Sequence, residues 1–289
     1  MKNTKTSSFG VKGRYSHDSS DFYNTKLYDD FNEADKIGYL QEEVPEEVVN
    51  KIYCKSSQNM SELPDNSVNL MITSPPYNVG KEYDNDLSLT EYKQLLYDVF
   101  DETYKKLATG GRACINIANI GRKPYIPLHS IVIEIMLNIG YLMRGEIIWD
   151  KSASGGGSCA WGSWMSASNP VLRDVHEYIL VFCKDSFSKM KVREKKDTIG
   201  RDDFLSWTRS IWSFPTVSAK RIGHPAPFPI ELPHRLINLY SYEDDVVLDP
   251  FCGSGTTCLA AKRNNRKYVG YDNVEEYVEL AQRRISDLG

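Results

Sequence analysis

Val246-Val247-Leu248-Asp249-Pro250-Phe251-Cys252-Gly253-Ser254-Gly255-Thr256-Thr257 reads as a buried strand, a glycine turn and the start of a helix. Gly253 and Gly255 let the backbone pass close to a bound molecule, and a helix predicted over about Thr256–Lys262 would aim its N–H groups at that place. Lys267-Tyr268-Val269-Gly270-Tyr271-Asp272 follows as the next strand. It ends on an acid about 20 residues past the turn, where a carboxylate can accept hydrogen bonds from ribose hydroxyls. The unit is a nucleoside-binding βαβ. A dinucleotide fingerprint would need a further glycine three positions after Gly255, and Cys258 stands there instead.

A second stretch lies far upstream. The apolar run Val68-Asn69-Leu70-Met71-Ile72-Thr73 leads into Ser74-Pro75-Pro76-Tyr77-Asn78. Consecutive prolines hold Ser74 and Pro75 extended, so the strand cannot turn into a helix. Neither proline has an N–H, which leaves carbonyl acceptors beside a serine oxygen and an aromatic face. Such a site suits a planar ring with an exocyclic amino group: oxygens accept the amino hydrogens and Tyr77 stacks on the ring. Cytosine and adenine fit that description. Taken alone, the tetrapeptide is equally compatible with a surface strand-to-loop turn.

Between the two stretches the pattern alternates. From Thr90, apolar Tyr92, Leu95, Leu96, Val99, Phe100, Tyr104 and Leu107 recur at helical spacing up to Gly110-Gly111. A strand over Arg112–Ile117, a helix around Leu128–Asn138 stopped near Gly140 and a strand over Leu142–Trp149 follow. The expected fold class is α/β, a doubly wound sheet with helices on both faces. The Gly155-Gly156-Gly157 segment, with Trp161-Gly162-Ser163-Trp164, reads as a mobile loop able to close over a partner or as a plain connector.

Asp249-Pro250-Phe251-Cys252-Gly253-Ser254-Gly255-Thr256 resembles the cofactor loop of S-adenosylmethionine-dependent amino-methyltransferases of DNA, and Thr73-Ser74-Pro75-Pro76-Tyr77 in the same chain strengthens the likeness. His224-Pro225-Ala226-Pro227-Phe228-Pro229 is similar to the segment that precedes that loop, and His176-Glu177-Tyr178-Ile179-Leu180-Val181-Phe182-Cys183-Lys184 looks like a later strand of the catalytic half. The glycine loop follows the tetrapeptide by roughly 175 residues, an order that resembles the permuted β class of the family. The match covers about residues 48–185 and 222–285.

The resemblance implies a Rossmann-like methyltransferase sheet with circularly permuted motif order. Its organisation would be an N-terminal arm (1–47), a catalytic half (48–185), a target-recognition insertion (186–221) and a cofactor-binding half (222–289). It implies Ser74, Pro75, Pro76 and Tyr77 as catalytic residues. Asp249, Phe251, Gly253, Ser254, Gly255, Thr256, Asp272, His224 and Phe228 would hold S-adenosyl-L-methionine. Many relatives carry Gly-Asp where this chain has Cys54-Lys55-Ser56-Ser57, and Ser56 is the residue there able to bond an adenine.

Net charge of −4 does not point to a nucleic-acid partner, but the charge is unevenly spread. Residues 1–50 hold ten Asp and Glu against six Lys and Arg, whereas 184–221 hold ten basic residues against five acidic. Lys189, Lys191, Arg193, Arg201, Arg209, Lys220 and Arg221, interleaved with Trp207, form the candidate phosphate-binding set for double-stranded DNA; a solvated loop is the alternative. The six cysteines form no Cys-x-x-Cys pair and read as buried thiols, and the five histidines are scattered, so no metal site is expected. No apolar run reaches about 18 residues, and a cytoplasmic protein without a membrane partner is expected. Tyr15, Phe22, Tyr23, Tyr28, Phe31 and Tyr39 make the arm too aromatic for a disordered tail, so it should pack on the body.

Methylation of cytosine carbon 5 would need a cysteine nucleophile in a Pro-Cys context, which is absent. In the family, serine at the head of the tetrapeptide usually accompanies N4-cytosine and aspartate N6-adenine. The resemblance therefore implies a site-specific cytosine-N4 DNA methyltransferase acting on a flipped base, the modification enzyme of a restriction–modification system. N6-adenine is the alternative. A methyltransferase for RNA or protein amides and a cofactor-dead DNA-binding module are more distant ones. A homodimer and a cognate endonuclease acting separately are compatible with this reading.

Overall fold

A computed structural model of the chain describes residues 5–6, 14–15, 23–31, 38–77, 87–152, 161–190, 194–217 and 228–287. The chain divides into two compact units, residues 1–38 and 39–289. In the smaller, Lys5–Thr6 pairs antiparallel with Arg14–Tyr15, and a 3-10 turn spans Lys26–Phe31. The expectation of a packed arm falls largely outside the described residues. Its expected end at 47 is too late, because Leu40 and Thr109 exchange hydrogen bonds and the Glu42 N–H reaches Asn66 O, tying residues 39–47 into the larger unit.

The larger unit is built on one eight-stranded sheet. Its strands are β1 (Lys51–Cys54), β2 (Val68–Thr73), β3 (Leu107–Ile117), β4 (Leu142–Asp150), β5 (His176–Cys183), β6 (Ile211–Ser213), β7 (Val246–Asp249) and β8 (Lys267–Asp272). They lie in the order β6-β4-β5-β3-β2-β7-β8-β1, all parallel except β5, which runs antiparallel to both neighbours. The helices are α1 (Leu89–Lys106), α2 (Leu128–Ile139), α3 (Arg201–Trp207), α4 (Glu231–Tyr240), α5 (Thr256–Arg263) and α6 (Glu275–Ser286).

Side chains alternate between two cores with the period of two that a strand imposes. Met71, Ile115, Phe182 and Leu248 face α1 and α2, packing on Leu96, Phe100, Val132 and Met136. Leu70, Ile72, Val181 and Val247 face the other way, onto Leu236, Leu259 and Ile285 of α4, α5 and α6. The doubly wound arrangement read from the sequence is present.

Two boundaries differ from expectation. Helix α1, started by a Ser88–Glu91 capping box, ends at Lys106 and not at Gly110-Gly111. Leu107 already pairs with Val68, and a register shift before Arg112 carries Gly110 at a φ of +73°, with its N–H on Lys184 O. The apolar pattern of α1 runs on because β3 is buried along its whole length. The segment expected as a separate recognition insertion also belongs partly to the body: β6 extends the sheet edge alongside β4, and Trp212 and Phe214 enter the second core.

Candidate active site

The two sequence motifs meet at the carboxyl ends of neighbouring strands. β2 and β7 pair Leu70 with Val247 and Met71 with Leu248 at the middle of the sheet. Beyond that pairing the Thr73 hydroxyl donates to Asp249 Oδ1 at 2.6 Å. Asp249 is 1% exposed and also accepts the Phe251 N–H at 3.2 Å. Burial pushes its carboxyl up to about 6, against the pull of the hydrogen bonds from Thr73 and Phe251. This buried acid therefore shapes the turn after β7.

Two adjoining cavities open where that turn faces the tetrapeptide. One is lined by Ser56, Ser57, Leu95, Val99, Phe251 and Asp272 among others, the second by Ser74, Tyr77, Gly253, Val274 and Tyr277, and Pro76, Phe251, Asp272 and Asn273 line both. Ser57 Oγ donates to Pro250 O at 2.7 Å, pinning one wall. Asp272 Oδ2 accepts the Gly253 N–H at 2.8 Å and Oδ1 the Val274 N–H at 2.9 Å. Burial raises its carboxyl and those backbone bonds oppose the rise. With about four acceptor sites on a carboxylate, two backbone bonds leave capacity for ligand hydroxyls. The lysine on the wall, Lys55, is ion-paired with Glu62 at 2.8 Å. Among the described lining residues no free cation waits for a phosphate. An apolar wall with a carboxylate and no phosphate cradle fits a nucleoside without phosphates, as in a nucleosidyl sulfonium.

Around the tetrapeptide the contacts are specific. The Tyr92 hydroxyl of α1 donates to Pro76 O at 2.7 Å, fixing the second proline from the helix side. Ser74 Oγ lies 3.5 Å from the Tyr77 hydroxyl, which reaches Glu177 Oε2 at 3.4 Å. Burial, then the nearby Glu177 carboxylate, hold the Tyr77 phenol well above its usual range, so it stays protonated. Glu177, at the start of β5, is held by Asn116 Nδ2 and Lys151 Nζ, each at 2.6 Å.

The DNA methylase family profile (N6/N4 type) matches residues 68–283. The chain belongs to this family of DNA amino-methyltransferases. The type II methyltransferase M.MthZI of Methanothermobacter thermautotrophicus is 32% identical over 272 residues, covering 82% of this chain and 76% of the relative. M.MjaI of Methanocaldococcus jannaschii is 30% identical over 285 residues, covering 81% and 93%. The crystal structure of TTHA0409 from Thermus thermophilus, complexed with S-adenosyl-L-methionine, superposes with a TM-score of 0.66 at 28% identity over 82% of this chain and 95% of that one. The methylase is of the β class, with the Rossmann-like sheet expected from its motif order.

Not every residue expected at the site lies there. Phe251, Gly253 and Asp272 line the cavities of the methylase, whereas Asp249, Ser254, Gly255 and Thr256 are buried behind them. Gly255, read from the sequence as allowing close approach of a ligand, lines neither cavity. It has a φ of +74°, and a Cβ there would lie 2.7 Å from the Ala281 Cβ of α6, so glycine is required by backbone conformation and helix packing. Arg284 of α6 binds Ser254 O and Thr256 Oγ1, closing that side. Phe228 packs on the second core and lines neither cavity, and His224 lies outside the described residues.

The basic set is corrected more sharply. Because β5 is antiparallel, the chain leaves it at the amino edge of the parallel strands, opposite the tetrapeptide. Lys189 and Lys195 both pair with Asp245, which is 0% exposed and sits just before β7 at that far edge. Lys189 is a buried ion-pair partner and not a phosphate contact. Trp207 is likewise engaged, its ring 5.5 Å from His234 and 5.6 Å from the Arg235 guanidinium. Arg201 and Arg209 are exposed on and after α3, while Lys191, Arg193, Lys220 and Arg221 fall outside the described residues.

Two segments leave the carboxyl ends of β3 and β4: the sequence reading missed the first, while Trp161-Gly162-Ser163-Trp164 of the second belongs to the loop expected from the sequence, whose Gly155-Gly156-Gly157 lies outside the described residues. A hairpin pairs Ile120–Gly121 with Tyr125–Ile126, and its Arg122 is ion-paired with Asp174 at 3.0 Å. After β4, Trp161 stands edge-on to Trp164 and under Arg173, with Trp164 67% exposed. Their signal was available: both segments follow strands that run parallel to β2, so they emerge on its side of the sheet.

Proposed function

We propose that the chain transfers the methyl group of S-adenosyl-L-methionine to the exocyclic N4 of a cytosine flipped out of double-stranded DNA, as the modification enzyme of a restriction–modification system. Ser74 carries the reading: a serine hydroxyl, not an aspartate, stands at the cavity that adjoins the one walled by Leu95, Val99 and Asp272. The proposed holders of the cofactor are Asp272 for the ribose, Phe251, Leu95 and Val99 for the ring, and Ser56 beside it. When bound, it supplies an electrophilic methyl on a sulfonium.

The amino nitrogen of cytosine is a poor nucleophile because its lone pair is delocalised into the ring. Ser74 Oγ and the Pro75 carbonyl accept its two hydrogens, favour pyramidalisation and stabilise the positive charge that grows on nitrogen. Tyr92 occupies the Pro76 carbonyl, so of the two proline carbonyls Pro75's is the one assigned. Tyr77 stacks on the flipped base. Alignment of the three reacting atoms is a proximity effect of about 7–11 kcal/mol at its ideal limit. No covalent intermediate is required. In this reading the duplex lies over the carboxyl edge, against Arg122, Trp164 and Arg173, and a cognate nuclease acts as a separate protein.

The test is methylation of mixed-sequence plasmid DNA with labelled S-adenosylmethionine, followed by nucleoside digestion and mass spectrometry. N4-methylcytosine supports the reading. N6-methyladenine would keep the chemistry and move the target base, and no modified nucleoside at all would overturn it in favour of an RNA or protein substrate.

A further inference from the structure

Glu177 has no part in the scheme above, yet it organises the polar contacts behind the tetrapeptide. Its carboxylate is an acceptor only, so the Tyr77 phenol must donate to it. With its proton committed, the Tyr77 oxygen is left as an acceptor for the hydroxyl of Ser74. Ser74, having donated its own proton, can meet a substrate amino group only as an acceptor. The direction of every bond from Glu177 to the reacting nitrogen follows from the charge on Glu177. Lys151 Nζ balances that charge at Oε1 and Asn116 Nδ2 holds Oε2, each at 2.6 Å, so the carboxylate is built in and not a surface accident.

We infer that Glu177 is a positioning residue that orients Ser74 through Tyr77 and ends the path by which the methylated nitrogen loses its proton. As the nitrogen–carbon bond forms and the carbon–sulfur bond breaks, the electron pair of the latter stays on sulfur and the nitrogen becomes cationic. Its N–H proton passes to Ser74 Oγ, the Ser74 proton to the Tyr77 oxygen, and the Tyr77 proton to Glu177 Oε2. Each hydroxyl ends with one proton and the carboxylate becomes a carboxyl, which returns the proton to water once the product leaves. The side chain is 14% exposed, enough for that return. The 3.5 and 3.4 Å contacts are long, as catalytic hydrogen bonds often are without substrate, and they tighten in the reacting complex. The inference rests on the proposed roles of Ser74 and Tyr77 and not on which base is methylated.

The experiment compares Glu177→Gln, Tyr77→Phe, their double variant and Ser74→Ala, reading single-turnover tritium transfer to DNA together with cofactor and DNA dissociation constants. Glu177→Gln keeps the shape and an acceptor oxygen but cannot take the proton. The expected result is a fall in rate of about 100-fold or more, unchanged dissociation constants for cofactor and DNA, and a double variant no slower than Tyr77→Phe. A Glu177→Gln rate within a few-fold of the parent, with Ser74→Ala impaired, would overturn the inference and leave the functional reading standing. Parental rates in both would overturn the two together. Equal losses of rate and of cofactor and DNA affinity would also sink the inference, by reducing Glu177 to a structural prop.

Discussion

The hydroxyl of Thr73 and the carboxylate of Asp249 lie 2.6 Å apart, 176 positions apart in the chain, at the ends of adjacent parallel strands. Beyond the sheet pairing, this bond ties the end of the tetrapeptide strand to the end of the cofactor-loop strand. It sets where the loop starts relative to Ser74, and it does so with a buried acid whose ionisation opposes folding.

For Asp249 the sign follows from linkage. Its folded carboxyl titrates near 6 and an unfolded one near 3.8, so between those values the folded state holds more protons. This group's contribution is most favourable below pH 3.8 and is lost as pH rises to 6, with a cost of about 3 kcal/mol at neutral pH. Asp249→Asn should therefore flatten the pH dependence of urea stability between pH 4 and 7, and Thr73→Val should raise the Asp249 carboxyl further, as read by carboxyl-carbon NMR. A parent carboxyl titrating near 4 would refute this.

Gly255→Ala should destabilise the fold by about 2–4 kcal/mol, since it combines a left-handed φ with overpacking on Ala281. Adding Ala281→Gly should recover the packing part only. Thermal melts of the single and double variants check this; full recovery would mean that the backbone conformation costs nothing.

Asp272→Asn should weaken S-adenosylmethionine binding about tenfold or more by calorimetry, because a charge-assisted acceptor on the cavity wall becomes a neutral amide. The amide oxygen can keep only one of the Gly253 and Val274 N–H bonds, so the melting temperature should also fall, by about 2–4 °C. A large drop in melting temperature with unchanged affinity would reverse the assignment.

Lys189→Ala should cost stability, on the order of 2–4 kcal/mol, since it strips one of two cations from a fully buried carboxylate. It should leave the slope of log K for DNA against log salt unchanged. Arg173→Ala should lower that slope by about one counterion while leaving stability nearly intact. The reverse pattern would return Lys189 to the DNA interface.

Val68–Thr73 and Lys267–Asp272 are legible to the residue because each is an apolar run ended by chemistry that a strand interior excludes: a Ser-Pro-Pro turn after one, a cavity-facing acid at the end of the other. Helix α2 is legible at its end because Gly140 takes the left-handed φ of +114° that stops it. The end of α1 is not, since Leu107 and Ala108 are as apolar in a fully buried strand as they would be on a helix face. Charge was the least reliable guide. Lys189 looks like a phosphate ligand until the fold brings Asp245, 56 residues away, into its reach.

The sequence by itself determined what was chemically local: the donor-poor tetrapeptide, the glycine turn into a helix, the acid that ends β8, and through their order the permuted family. Only the tertiary structure decided which groups share a site. A strand's direction in the sheet sends its flanking residues to one edge or the other, and the antiparallel β5 carried the basic run away from Ser74 while bringing Glu177 to within reach of Tyr77. That choice depends on pairing between segments far apart in the chain, and no local pattern encodes it.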